Sequence, residues 1–461
     1  MSSYPSYASF FSRSYSNVSH QNFLVQPASS GELTEHRQMQ FRLPTNANLH
    51  MEKTRLVFAL NTSNTGSGGT AAIGRLASAK SIIDRITVDF GGVSVSSGVA
   101  QHAVLQQCLD NMRVIEEDPV LSGTQLVRRM NPATGASLAN TASETYNTAG
   151  NTQYFSIELG PFFKTLQPNL FPLSVVSSVD ISIFLSGNAT VVSTCNSASD
   201  DFTSASGGTQ CPYTVDNYRL MVSAYSIDDG IFDQVISTRL NSQDGLDAMF
   251  CDYQGFSDTF NGSTRVSSAS SSLDKIIVAF RTSGFNGVKP AKGLRGYNIT
   301  YSDAVDKTTV LDQPAVHGGG GYLNHNLNFT APVSAINLGS LHTLPSISTS
   351  INSIRFPSYD MKLGVQSYEL LKEAFEVDNT QSQSLTEYLT NRCQVATKLN
   401  LPGSQQLRAK SGLNLQGSNS TILVEAVGDT STLVTTGNVM VFLESTCMLK
   451  ISSGKQLTVI R

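Results

Sequence analysis

Residues Phe155 to Leu185 read FSIELGPFFKTLQPNLFPLSVVSSVDISIFL and hold two runs of alternation around a Pro-punctuated apolar bend. Phe155, Ile157 and Leu159 make the first run, and Val179, Ile181, Ile183 and Leu185 the second. A strand turns successive side chains to opposite faces, so each run presents one apolar face and one mostly polar face. The prolines between them, at 161, 168 and 172, suit a bend rather than a continuous helix.

The same period recurs outward in both directions. Met39, Phe41, Leu43 and Ile86, Val88, Phe90 precede the segment, and Ile276, Val278, Phe280, then Ile422 to Val427 and Asn438 to Ile451, follow it. Strands therefore occupy both halves of the chain. Between them lie stretches dense in turn formers, at Asn61 to Thr70, Asn131 to Asn151, Asn188 to Gln210 and Phe285 to Gly321. Helical spacing is rarer. Val99 to Met112 carries Leu105, Leu109 and Met112 on one face, directly after a hairpin over Ile82 to Ser97 with Gly91-Gly92 at its turn. Tyr368 to Phe375 is a second amphipathic stretch, continued by Leu385, Tyr388 and Leu389. Both halves thus read strand, helix, loop, strand. Tyr218 to Ile227 predicts a closing strand, Asp228-Asp229-Gly230 a turn and Ile231 to Leu240 a short helix, which places a division there.

A chain of 461 residues accommodates two all-β domains of about 200–250 residues each. Charged residues make up 14%, against about 25% in an average globular protein, so Ser, Thr, Asn and Gly supply much of the polar surface. The formal net charge of −4 offers no overall field for nucleic acid or an anionic membrane. Arg13 is the one basic residue among the first thirty, so there is no basic arm to neutralise phosphates. No signal-peptide pattern opens the chain, and no apolar run approaches about 18 residues.

Motifs that carry chemistry are sparse. His317 with Gly318 to Gly321 imitates an oxyanion loop without a G-x-S-x-G elbow to serve. Gly66 to Ala71 imitates a dinucleotide fingerprint without its strand-to-helix setting. The six cysteines are scattered and the seven histidines dispersed, with no metal-ligand spacing, although Cys195 and Cys211 flank one polar loop and could pair. The residues therefore predict a non-enzymatic β-sandwich protein with no catalytic, cofactor or metal residues.

Three segments carry a resemblance. Phe155 to Leu185 resembles the middle of the first roll of the double jelly-roll major capsid proteins, the lineage of adenovirus hexon, tectiviruses, virophages and polinton-like viruses. NYRLMVSAYSIDD (217–229) resembles the strand closing that roll. KSGLNLQGSNSTILVEAV (410–427) with NVMVFLESTCMLKISSGKQLTVIR (438–461) resembles the last strands of the second roll. The resemblance implies an all-β chain of two consecutive jelly-roll sandwiches with a few short helices and long loops. The chain divides into an N-terminal arm (1–30), a first roll (31–229), a linker (230–244) and a second roll (245–461).

The implied function is that of a major capsid protein of an icosahedral double-stranded DNA virus, located in the virion and assembled inside the host cell. The implied partners are two further copies in a homotrimeric pseudo-hexagonal capsomer, neighbouring capsomers, minor capsid or penton proteins, and an internal membrane where the shell encloses one. Sequence-specific nucleic-acid binding is not expected. The arm residues Tyr4, Tyr7, Phe10, Phe11, Tyr15 and Phe23 sit among Ser and Asn, cannot build a core of their own, and are expected to pack on a neighbouring subunit. Two alternatives are a single jelly-roll capsid protein of a small RNA virus with a projecting domain, and a carbohydrate-binding surface adhesin.

Overall fold

The computed structural model describes residues 18–45, 47–62, 72–76, 79–110, 112, 153–196, 212–227, 230–241, 245–281, 329, 331–332, 345–376, 388–389, 393–401, 411–416, 420–427 and 437–461. The first half holds strands β1 (Val18–Val25), β2 (Gln38–Leu43), β3 (Asn48–His50), β4 (Arg55–Thr62), β5 (Ala72–Leu76), β6 (Ile83–Phe90) and β7 (Val93–Ser96), then helix α1 (His102–Asp110). It continues with β8 (Gln153–Glu158), α2 (Pro161–Thr165), β9 (Leu170–Pro172), β10 (Val179–Leu185), α3 (Asn188–Val191), β11 (Val192–Asn196) and β12 (Tyr213–Ile227). Helix α4 (Gly230–Asn241) connects to β13 (Leu246–Phe260), β14 (Ser263–Ser268), β15 (Leu273–Arg281), β16 (Ser346–Ile351) and β17 (Ile354–Lys362). Helix α5 (Val365–Phe375), β18 (Gln394–Lys398), β19 (Ser420–Val427), β20 (Gly437–Ser452) and β21 (Gln456–Ile460) complete the second half.

Each half is a sandwich of two antiparallel sheets. In the first, β1-β12-β4-β8 faces β2-β10-β6-β7, with β3 and β9 extending the former from the C-terminal end of β12. In the second, β13-β20-β15-β18 faces β14-β19-β16-β17, and β21 pairs with β20. Counted along the chain, the eight principal strands of both halves pair in one order: first, eighth, third, sixth in one sheet and second, seventh, fourth, fifth in the other. That connectivity is a jelly roll, made twice.

The alternation in the sequence becomes a lattice. Leu43, Val179 and Phe90 lie side by side across β2, β10 and β6; Phe41, Ile181 and Val88 form the next row, and Met39, Ile183 and Ile86 the third. All nine are buried. The opposite sheet contributes Leu56 beside Ile157 and Phe58 beside Phe155, whose rings lie 5.6 Å apart. A one-residue slip in any of these strands would turn its apolar set to solvent, which pins the register.

The Gly91-Gly92 turn joins β6 to β7 as expected. The turn-rich stretch opening at Asn188 differs from expectation: it begins with α3 and then β11, which pairs with β5. The β-branched Val192 and Thr194 favour an extended backbone there despite the polar surroundings. Of the other turn-rich stretches, residues 131–151 and 285–321 lie outside the described residues, as does Cys211.

Gly98 sits where β7 gives way to α1, with φ of +71°. A Cβ there would lie 2.1 Å from the carbonyl oxygen of Ile86. Both the backbone conformation and the close approach require glycine. Gly98→Ala is expected to destabilise the protein by more than about 1 kcal/mol, checked by urea unfolding.

Candidate functional site

The two rolls share structure where they meet. Strands β13 and β20 pair continuously over 15 positions, from Leu246 opposite Ile451 to Phe260 opposite Gly437. That ribbon is about 50 Å long at ~3.4 Å per residue. Its first part belongs to the core of the first roll, where Ala248, Phe250, Cys447, Leu449 and Ile451 are buried. The remainder, with Tyr253, Phe260, Val439, Val441 and Leu443, belongs to the core of the second. Phe250 packs on Phe162 of α2 with ring centroids 5.2 Å apart.

Backbone bonds fix the same seam. The N–H of Gln167 donates to Met249 O at 2.8 Å, that of Met249 donates back to Gln167 O at 3.0 Å, and that of Cys251 donates to Thr165 Oγ1 at 2.9 Å. Helix α1 crosses in the other direction. Its Val104, Leu105 and Cys108 lie in the second roll's core, and Gln394 Nε2 donates to Cys108 O at 3.0 Å. The helix also packs against β6 of its own roll, so it is held between the two. Helix α5 holds the equivalent place in the second roll, between its fifth and sixth strands, and packs against β18. At the C-terminus, the guanidinium of Arg461 donates to Ser94 O and Val95 O of β7, each at 3.3 Å.

A cavity of about 30 Å³ lies in this seam, lined by Ser96, His102, Leu159, Phe162, Cys251 and Tyr253 among others. His102 is buried and its Nε2 has no hydrogen-bond partner among the described residues. Burial, reinforced by the positive charge of Lys80, pushes its imidazole down from 6.5 to about 4. The folded protein thus holds His102 neutral, whereas the unfolded chain protonates it at its ordinary value. This contribution is present above pH 6.5 and is lost as pH falls toward 4. Relative to a His102→Gln variant, the protein is expected to lose about 2 kcal/mol of stability between pH 7.5 and pH 5, measured by urea unfolding at both.

The one charged cluster among the described residues with metal-ligand spacing is also here. Cys251 Sγ and carboxylate oxygens of Asp274 and Glu444 lie within 4.8 Å of one another. Lys275 Nζ stands 3.1 Å from Glu444 Oε2, and the Tyr253 hydroxyl donates to that same oxygen at 2.5 Å. Burial, with Glu444 and Asp274 nearby, pushes the Cys251 thiol well up, which keeps it protonated and a weak ligand. The donor set therefore holds an ion pair of the protein itself.

Of the residues expected to contact a neighbouring subunit, Phe23 lies in β1, opposite Val222 of β12 and partly buried against the first roll's core. Tyr4, Tyr7, Phe10, Phe11 and Tyr15 lie outside the described residues. No helix among the described residues is long and apolar enough to cross a membrane.

Repeated strand order and a strand ribbon common to both rolls make this a double jelly-roll protein rather than a single roll with a projecting domain. No family model matches the chain, and no curated protein matches its sequence. Solved structures do match its fold. VP54 of PBCV-1, as fitted into a reconstruction of the virophage Sputnik, superposes with a TM-score of 0.59 at 13% identity, covering 98% of both chains. A chain of the PBCV-1 virus capsid gives 0.55 at 12% identity, again covering 98% of both. The Faustovirus major capsid protein gives 0.54 at 11% identity, covering 96% of this chain and 92% of that one. The chain thus has, over nearly its whole length, the double jelly-roll fold of these virus capsid proteins.

Proposed function

We propose that this chain is a major capsid protein: three copies join as a pseudo-hexagonal capsomer, and capsomers tile an icosahedral virion shell assembled inside the host cell. The observation that carries this reading is the duplicated strand order with its shared seam. Two like sandwiches held in one fixed relation give a trimer six similar lobes, so a threefold particle fills a hexagonal site. Jelly rolls also leave little open sheet edge, which matters for a protein packed at high local concentration. The role needs shape and contact surface rather than catalysis, so no enzymatic activity is assigned.

The chain functions as an arm (1–30), two rolls (31–229 and 245–461) and a linker (230–244), the end of the arm supplying β1 as the first strand of the first roll. Tyr4, Tyr7, Phe10, Phe11 and Tyr15 pack on a neighbouring subunit, and Phe23 anchors the strand from which they depart. Neighbouring capsomers and minor capsid or penton proteins are the partners. Light scattering of the purified protein tests the reading: a mass of three 49.5 kDa chains supports it, and a monomer across the concentration range speaks against it. Removal of residues 1–17 is expected to preserve the trimer and weaken shell assembly.

A further inference from the structure

The cluster beneath the seam contains more negative than positive groups. Asp274 and Glu444 are each only 1% exposed, and the cation beside them is Lys275. We infer that Asp274, beside the Lys275–Glu444 ion pair, is a single-proton site through which mild acid strengthens the strand pairing that joins the two rolls.

The geometry assigns the proton to Asp274. Lys275 and Tyr253 both address Glu444 Oε2. Asp274 instead accepts hydrogen bonds from two neutral hydroxyls, Ser272 Oγ at 3.1 Å and Thr446 Oγ1. Among the described residues no cation lies within ion-pair distance of it. The groups facing it are Cys251 and Tyr253 from β13, Glu444 and Thr446 from β20, Ser272 ahead of β15, and Lys275 beside it on β15. Two ionised carboxylates and one ammonium would leave a net negative charge in a buried interior, a state disfavoured by both burial and like-charge repulsion. One proton removes it.

Burial, opposed by the Thr446 hydrogen bond and reinforced by the charge of Glu444, raises Asp274 from 3.8 to about 6. A carboxyl with a raised folded value favours the folded state at low pH. The contribution is complete below 3.8 and is lost as pH rises through about 6. This is opposite in sign to His102, so the two offset one another in the intact protein and are separated only by variants. The site is coupled to the seam because Glu444 and Thr446 lie directly opposite Tyr253 and Cys251, at the point where the β13–β20 ribbon leaves the first roll's core.

The test compares urea unfolding of the full chain with Asp274→Asn at pH 7.5 and pH 5, using Asp360→Asn, at an exposed site, as control. Asparagine retains an acceptor for the two hydroxyls and cannot titrate. The folded-to-unfolded ratio of the parent relative to Asp274→Asn is expected to rise about tenfold on acidification. Glu444→Gln, which frees Lys275 for Asp274, is expected to shrink that pH dependence. A ratio that stays constant or falls on acidification overturns the proposal. If Asp274→Asn does not fold, infrared titration of the parent decides: a buried carboxylic-acid band appearing near pH 6 supports the site, and its absence above pH 4.5 overturns it. These readouts concern the chain itself and stand whether or not it builds a capsid.

Discussion

Phe250→Ala is expected to destabilise the protein by about 3–5 kcal/mol and to loosen both rolls together. Phe250 is a residue of the second roll's longest strand pair, yet its ring is buried in the first roll's core against Phe162. Truncation removes a large apolar side chain from water-free packing and leaves a cavity between α2 and the ribbon. Collapse to fill it is restricted on one side by the paired bonds between Gln167 and Met249. Because Phe250 and Tyr253 lie on one continuous strand, the disturbance passes along the ladder to β20 and into the second core. Hydrogen exchange checks the distribution: faster exchange is expected in β10 of the first roll as well as in β15 of the second. Faster exchange confined to one roll would mean that the rolls are stabilised independently.

Lys275→Met is expected to be comparably severe, at about 3–5 kcal/mol, because it strands the buried carboxylate of Glu444. The ammonium also lies 5.2 Å from the ring of Phe375 in α5, so its removal loosens that helix as well. Replacing both partners, Lys275→Met with Glu444→Gln, is expected to recover much of the loss, since no uncompensated charge remains. Urea unfolding of the two single variants and the double variant isolates the coupling. Equal losses in the single and double variants would show that Lys275 contributes by packing rather than by charge.

These residues mark where the sequence was legible and where it was not. The first roll's lattice was readable because β2, β6 and β10 bury one face each, so Met39 to Leu43, Ile86 to Phe90 and Val179 to Leu185 keep a clean period of two. Strand β13 hid itself. It passes from one core to the other, so Ala248, Phe250, Cys251, Asp252 and Tyr253 are all buried and the alternation disappears. Strand β1 was hidden for the opposite reason: it is a largely exposed edge strand whose half-buried members are Phe23 and Val25. The amphipathic face of α1 was visible in Leu105 and Leu109, but its destination in the second roll depends on tertiary placement that local spacing does not encode. The buried ion pair left one signal. Glu444 is the one acidic residue within the mostly apolar run Val439 to Ile451, where a buried carboxylate needs a partner.

The central claim is that two fused jelly rolls make a capsomer subunit. Single-particle electron microscopy of the purified protein tests it most directly. Class averages are expected to show a threefold particle with six lobes of alternating, similar shape around a hexagonal outline. Isolated two-lobed monomers, or particles with another symmetry, would contradict it.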